Sequence, residues 1–208
     1  MSGGGTHRVL VVDDDRFVGA AIARQLQTYA VVTRVETFGA RQDALLARAY
    51  QGLVVDVRLP DGNGIDLIAL ARGTEHRAPA AVISGFTVDE MKEQVNRASD
   101  LGDTRFLFKP VSSASLLNFV LSTYAAQPRF AQAIEAFLHA LPRFGKLPMR
   151  EAVCIELMLC GHSKREIADG RGIEEKTVEK YIGFGVATLG FDSAATMVRA
   201  LLRVLSGT

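Results

Sequence analysis

The sequence lacks the features that mark membrane proteins, disulfide-stabilised proteins and strongly charged nucleic-acid binders. No apolar run approaches the roughly 18 residues of a membrane span, and the first residues, 1–5, lack the apolar core of a signal peptide. The formal net charge is +1 over 208 residues, so any affinity for nucleic acid must come from local charge. The two cysteines, Cys154 and Cys160, lie in one predicted helix, where a rise of about 1.5 Å per residue separates them too far for a disulfide. These absences predict a cytoplasmic protein with no membrane segment.

The first 125 residues alternate between short apolar runs and segments of helical periodicity. The apolar runs predict five strands, at 8–12, 31–35, 53–56, 80–84 and 105–108. The periodic segments predict five helices, at 17–26, 40–50, 65–71, 87–98 and 113–124. This order predicts an α/β domain with a doubly wound, five-stranded parallel sheet and helices on both faces.

Reactive side chains recur where these strands end. Asp13 and Asp14 follow the first strand, Asp56 ends the third, Ser84 ends the fourth and Lys109 follows the fifth. Each residue alone would be ordinary loop chemistry, but the carboxyl ends of parallel strands open on one edge of the sheet. Three carboxylates in one crevice repel one another unless a cation intervenes, and Mg²⁺ suits oxygen donors of this kind. The set predicts phosphoryl transfer to a carboxylate nucleophile, with cations facing the phosphoryl oxygens.

This part of the chain resembles the receiver domain of bacterial two-component response regulators. Four stretches carry the resemblance, in order: VVDDD at 11–15, VDVRLPDGNG at 55–64, ISG at 83–85 and FLFKP at 106–110. The resemblance implies a flavodoxin-like receiver over residues 6–125 that is not an enzyme. It implies that Asp56 accepts a phosphoryl group from a cognate histidine kinase or phosphotransfer protein.

The resemblance also implies a role for each site residue. Four donors would hold Mg²⁺: Asp13, Asp14, Asp56 and the backbone carbonyl of Arg58. Lys109 would pair with the phosphoryl oxygens, Ser84 would turn towards the phosphoryl group, and Phe106 would follow as an aromatic switch. A cis peptide bond is implied before Pro110. The interval from Ser84 to Lys109 is a few residues longer than is usual for such domains, with the extra length around 96–104.

Residues 126–145 predict a linker helix. Its apolar stripe consists of Phe130, Ile134, Phe137, Leu138 and Leu141. We expect this stripe to be buried against the chain's own domains or against a second copy. The second possibility suggests a homodimer linked to phosphorylation.

Residues 146–208 have a purely helical pattern, with helices predicted at 149–160, 163–169, 175–187 and 193–205. They resemble a LuxR-type helix-turn-helix domain, through GHSKREIA at 161–168, GI at 172–173 and KTV at 176–178. The resemblance implies an output domain that binds DNA and regulates transcription. Five residues are candidate DNA contacts: Lys164, Arg165, Lys176, Lys180 and Tyr181.

The second helix of this motif is unusual for a DNA-binding helix. Residues 174–188 contain three acids and two lysines, whereas affinity for DNA depends on cations that reach phosphates. The interior Gly183 and Gly185 each cost about 1 kcal/mol relative to alanine. Two functions therefore stay open: a DNA-binding transcription regulator, or a response regulator whose helix-turn-helix fold is a protein-interaction module that controls a partner protein.

Overall fold

The computed structural model describes residues 7–36, 50–73, 77–85, 94–96, 100–127 and 130–206. The helix expected at 40–50 lies almost entirely outside the described residues. Of the helix expected at 87–98, only residues 94–96 are described, and they are helical. The chain divides into two compact units, one over Gly5–Phe119 and the other consisting mainly of Val120–Thr208.

The first unit is built on the five-stranded parallel sheet that the sequence predicted. The strands in chain order are β1 Arg8–Val12, β2 Val31–Val35, β3 Gly52–Asp56, β4 Arg58–Leu59, β5 Gly62–Asn63, β6 Ala80–Ser84 and β7 Thr104–Phe108. The main sheet has the order β2-β1-β3-β6-β7, and every neighbouring pair is parallel. The short β4 and β5 form a separate antiparallel pair.

Burial follows this strand order. Every residue of β3 and β6 is buried, whereas the edge strands β2 and β7 are partly exposed. Strands covered on both faces need apolar side chains in both directions, which explains their continuous apolar runs. The helices of this part of the chain are α1 Arg16–Leu26, α2 Gly64–Gly73 and α3 Ser113–Ala125. The side chain of Asp15 begins α1 by accepting hydrogen bonds from the backbone N–H groups of Phe17 and Val18.

The second unit is helical. Its elements are α4 Phe130–Ala140, a 3₁₀ turn at Phe144–Lys146, α5 Met149–Leu159, α6 Lys164–Arg171, α7 Glu175–Thr188 and α8 Ala194–Ser206. Ser163 and Glu166 form a reciprocal capping box that begins α6. Gly172 ends α6 with φ 64°, and the N–H of Ile173 then donates to the carbonyl of Ala168 at 3.1 Å. This left-handed turn favours glycine and separates α6 from α7.

The apolar stripe of the linker helix α4 is buried within the second unit. Phe130, Ile134, Phe137 and Leu138 are all buried, and α4 packs against α8. The ring of Phe137 lies 6.4 Å, centroid to centroid, from that of Phe191. Of the two burial sites expected for this stripe, the chain's own domain is the one found. Within the described part of the chain, no helix is both long enough and apolar enough to cross a membrane.

Candidate functional site

Three acids meet at the carboxyl edge of the main sheet. Asp56 ends the central strand β3 and is 6% exposed. Asp13 follows the neighbouring β1 and is fully buried, whereas Asp14 is exposed. One carboxylate oxygen from each acid lies within 4.8 Å of the other two. The alternation of strands and helices therefore brings together the three acids that the sequence singled out.

Lys109 reaches into this group from the end of β7. Its Nζ lies 2.5 Å from Oδ2 of Asp56 and 3.4 Å from Oδ2 of Asp13. Its backbone N–H donates to the carbonyl of Ser84 at 2.7 Å, which ties the ends of β6 and β7 together. The peptide bond between Lys109 and Pro110 is cis, as the resemblance implied.

The protonation states of Lys109 and Asp13 reflect this arrangement. Burial alone would lower the pKa of the Lys109 ammonium group, but the hydrogen bond and charge of Asp56, with those of Asp13, raise it above its ordinary value. Burial raises the pKa of Asp13; the charge of Lys109 opposes this shift and that of Asp56 adds to it. The lysine therefore stays protonated, while the buried Asp13 carboxylate needs further positive charge.

The carboxylate oxygens of the three acids are suitable ligands for a hard cation. Oδ1 of Asp13 accepts from the N–H of Asp15 at 2.9 Å, and Oδ1 of Asp56 accepts from the N–H of Arg58 at 3.1 Å. Oδ2 of Asp13 is buried, and Nζ of Lys109, 3.4 Å away and closer to Asp56, makes only a long contact with it. A buried carboxylate oxygen that is so weakly partnered can accept a further cation. The three carboxylates supply the oxygen ligands that Mg²⁺ prefers.

A close turn fixes the backbone behind Asp56. Oδ1 of Asn63 accepts from the N–H of Ile65 at 2.8 Å and begins α2, and its Nδ2 donates to Oε1 of Gln94 at 3.1 Å. A Cβ atom on Gly64 would lie 2.0 Å from the carbonyl oxygen of Asp56. Only glycine fits there, because real Cβ atoms do not approach a backbone atom so closely.

Ser84 and Phe106 lie on the two strands nearest to Lys109. Ser84 ends β6 and is 1% exposed. Phe106 pairs with Val82 of β6 and is half-buried against the apolar core. Ser84 therefore lies at the carboxyl edge of the sheet, whereas Phe106 lies three residues before Lys109 on the neighbouring strand. Their movement on phosphorylation stays a prediction, as does the metal-binding role of the Arg58 carbonyl.

Arg72, which the sequence reasoning missed, holds the segment before β7. Its guanidinium group donates to the carbonyls of Ala78 at 2.6 Å, Leu101 at 2.7 Å and Asp103 at 3.4 Å. Leu101 and Asp103 belong to the region where the chain is longer than usual. A basic residue in the last turn of a helix is so common that the sequence carried no signal for this role.

The five candidate DNA contacts lie on α6 and α7. Lys164 and Arg165 begin α6; Lys176, Lys180 and Tyr181 lie in the first half of α7. The four basic side chains are exposed, whereas Tyr181 is half-buried, with the guanidinium carbon of Arg150 5.5 Å from its ring centroid.

Two of these cations are paired with acids. Nζ of Lys164 lies 2.7 Å from Oε1 of Glu179, an ion pair that joins α6 to α7. Nε of Arg165 lies 3.9 Å from Oδ2 of Asp169 on the same helix. The positive charge available to phosphates is therefore lower than the count of basic residues suggests.

The two interior glycines of α7 have different surroundings. A Cβ atom on Gly185 would lie 2.4 Å from Cδ1 of Ile155 on α5, so the close packing of α5 and α7 depends on this glycine. A Cβ atom on Gly183 would meet nothing within 4 Å. Phe184, between them, has 64% of its surface exposed. The sequence could not distinguish the two glycines, because the difference lies in contacts between helices.

Comparisons with known proteins give the relationships of the chain. Residues 9–121 match the family model described as the response regulator receiver domain. The transcriptional regulatory protein TdiR of Thauera aromatica is 27% identical over 203 residues, covering 96% of this chain and 87% of TdiR. The transcriptional regulatory protein FixJ of Bradyrhizobium diazoefficiens is 25% identical over 201 residues, covering 94% of each chain.

The crystal structure of full-length FixJ from B. japonicum has the same fold. It aligns with a TM-score of 0.52 at 26% identity and covers 97% of each chain. The match to the receiver model spans more than half of the present chain. The chain therefore belongs to the response regulator receiver domain family.

Proposed function

We propose that this protein is a phosphorylation-regulated response regulator in which Asp56 accepts a phosphoryl group and the C-terminal helix-turn-helix controls transcription through DNA. The observation that carries the proposal is the group formed by Asp13, Asp14, Asp56 and Lys109. Its carboxylate oxygens lie within 4.8 Å of one another, and Nζ of Lys109 is 2.5 Å from Asp56. The donor of the phosphoryl group would be a histidine kinase or phosphotransfer protein.

The chemistry follows from the side chains in the crevice. An oxygen of Asp56 forms a bond to phosphorus while the bond between phosphorus and the donor's imidazole nitrogen breaks. Lys109, held beside the same carboxylate, neutralises charge on the phosphoryl oxygens. Asp13, Asp14 and Asp56 would hold Mg²⁺, which supplies further positive charge to the phosphoryl group when bound. Oδ2 of the buried Asp13 makes a long contact with Nζ of Lys109 and could bind the ion as well.

Phosphorylation is tested with a small-molecule donor. We expect acetyl phosphate to label the protein only when Mg²⁺ is present, and the label to disappear in Asp56→Asn. Asp66→Asn, which neutralises an exposed acid in the first turn of α2, is the matched control and should label normally. Undiminished labelling of Asp56→Asn, or equal labelling in EDTA, would contradict the assignment.

The transcriptional output is supported by the helical unit and by the relatives. The helices α6 and α7, separated by the turn at Gly172, form a helix-turn-helix in which α7 would enter the major groove. TdiR and FixJ, both named as transcriptional regulatory proteins, align over nearly all of this chain. Gel shifts against genomic fragments, at low and moderate salt and with or without acetyl phosphate, test DNA binding. Retention of no fragment by the phosphorylated protein at low salt would end this part of the proposal.

The charge of α6 and α7 favours a second candidate output, a protein-interaction module. Lys164 and Arg165 are both ion-paired with acids, and the apolar ring of Phe184 is 64% exposed. In this alternative, phosphorylation controls a partner protein without direct DNA binding. The same gel shift separates the two outputs, because the alternative requires that no fragment be retained.

Dimerisation and a cytoplasmic location complete the proposal. Burial of the α4 stripe within its own unit removes the reason for placing a dimer contact there. Light scattering with and without acetyl phosphate tests dimerisation at any surface, and an unchanged mass would contradict it.

The proposed cytoplasmic location is supported by the cysteines. Both are free, and Cys154 is buried, which suits a reducing compartment.

A further inference from the structure

The ion pair between Lys164 and Glu179 joins the two helices of the helix-turn-helix at the surface. Lys164 is the first residue of α6, and Glu179 lies in the first half of α7, on its exposed side. Their side chains remain 44% and 63% exposed, although Nζ and Oε1 are only 2.7 Å apart. The hydrogen bond and charge of Lys164 hold the pKa of Glu179 below its ordinary value, so the carboxylate is ionised at neutral pH.

The position of this pair in the motif determines what each side chain can reach. In helix-turn-helix proteins, base edges are read by residues near the N-terminus of the second helix, while the first helix crosses the DNA backbone. Glu179 is therefore on the part of α7 that faces bases, and Lys164 is on the helix that faces phosphates. The ion pair directs a cation that could contact phosphate towards an acid instead.

The chemistry of a carboxylate selects among the bases. An ionised carboxylate only accepts hydrogen bonds, and in the major groove cytosine presents an amino donor to which Glu and Asp bind. Guanine presents only acceptors there, and adenine presents its amino donor beside the N7 acceptor, which would repel the carboxylate. Lys164 bonds to Oε1, so Oε2 is left to accept another hydrogen bond, and no described residue provides one.

We propose that Glu179 is a specificity-determining residue that reads a cytosine in the DNA target, and that Lys164 is the positioning residue that holds its carboxylate. This inference rests on the proposed DNA binding. Lys164 would then contribute little to the electrostatic affinity for DNA, because its ammonium group is paired with Glu179. The phosphate contacts would come from other cations, among them Lys176 and Lys180, which form no ion pair with a described residue.

The experiment uses the full-length phosphorylated chain and a binding site selected from a random DNA pool. Affinities are measured for that site and for each single-base variant, at several salt concentrations. The proteins compared are the wild type, Glu179→Gln, Lys164→Met and Glu156→Gln. The last is the matched control: it removes the same charge from an exposed residue of α5, outside the two helices of the motif.

Glu179→Gln should lose a preference of about tenfold for cytosine at one position and keep the others. Glu156→Gln should keep all of them. Freed Lys164 should also steepen the slope of log affinity against log salt by about 0.9 in Glu179→Gln, the increment for one phosphate contact. Lys164→Met should weaken the cytosine preference and leave the slope near that of the wild type.

Three results would overturn the inference. They are an unchanged base preference in Glu179→Gln, an equal loss of preference in Glu156→Gln, and a slope shallower by about 0.9 in Lys164→Met, which would mean that Lys164 contacts phosphate. The affinity of the wild type is measured first, because it tests DNA binding separately from the role of Glu179. Failure of the wild type to bind any DNA defeats the proposed output itself, whereas binding without an effect at Glu179 defeats only this inference.

Discussion

The two interior glycines of α7 should respond in opposite directions to the same substitution. Gly183→Ala adds a methyl group where nothing lies within 4 Å. Only the helix propensity of alanine then matters, and it should raise the free energy of unfolding by about 1 kcal/mol. Gly185→Ala has the same propensity gain but places its methyl carbon 2.4 Å from Cδ1 of the fully buried Ile155. Overpacking of this kind costs about 1–3 kcal/mol, so the net effect should be a loss of roughly 1 kcal/mol.

The assay must report on the second unit alone, because a chain with two units need not unfold in one step. Hydrogen exchange of the α7 amides meets this requirement, since it measures the free energy of opening that helix. Ile155→Val supplies the decisive control, because it deletes Cδ1, the atom that the new methyl group would meet. In that background the nearest remaining atom would be Cγ1 of residue 155, at 3.3 Å, so Gly185→Ala should lose most of its penalty, and the coupling between the two substitutions should be about 1 kcal/mol.

Equal stabilisation by Gly183→Ala and Gly185→Ala would refute the reasoning, since it would mean that α5 and α7 do not approach as closely as the structure indicates. Failure of Ile155→Val to rescue Gly185→Ala would refute it as well. A rescue would establish that one glycine of this helix is a packing requirement and that the other is not.

Three further predictions concern the receiver. Gly64→Ala should destabilise the first unit by about 3 kcal/mol and reduce labelling of Asp56 by acetyl phosphate, because its Cβ would lie 2.0 Å from a backbone oxygen. The control is Gly73→Ala, whose Cβ would meet nothing within 4 Å. In this control, both the stability and the labelling should be nearly unchanged. The raised pKa of Asp13 means that its stabilising contribution is present below the unfolded pKa and is lost as the pH rises through the folded pKa. Thermal unfolding at neutral pH in EDTA should therefore show Asp13→Asn to be more stable than the wild type, and added Mg²⁺ should raise the Tm of the wild type by more than that of the variant. A lower Tm for the variant in EDTA would contradict this. Arg72→Lys should lower the free energy of unfolding in denaturant by about 2 kcal/mol, because a lysine cannot reproduce three guanidinium hydrogen bonds. The control Arg77→Lys affects one such bond and should cost far less. Equal losses in the two variants would be evidence against the role assigned to Arg72.

Much of the receiver could be predicted from the sequence, because its signals are local. Strands that are buried on both faces appear as continuous apolar runs, and β1 and β6 were predicted with the bounds that the structure has. The gathering of Asp13, Asp56 and Lys109 followed from one rule about parallel strands, since all three residues lie at strand ends. The small pair of strands β4 and β5 was not among the predicted strands, because two residues are too few to show a period.

What the sequence could not supply depends on contacts between distant residues. Arg72 bonds to carbonyls up to 31 positions away, and the pattern of α2 contains nothing that specifies them. Lys164 and Glu179 lie 15 positions apart on different helices, so their pairing depends on how α6 and α7 cross. The metal-binding roles and the DNA contacts stay predictions for a different reason: they concern groups that act on a ligand.

The turn behind Asp56 also sets a limit on how this receiver can be recombined with others. Residue 64 has no room for a side chain beside the Asp56 carbonyl, and its N–H donates to the carbonyl of Val57. Asn63 begins the helix that follows. Residues 56–64 should therefore be kept together when receivers are recombined. In a chimeric receiver, a junction inside this stretch would join Asp56 from one parent to a turn from another, whereas junctions at 52 and 73 would leave the stretch intact.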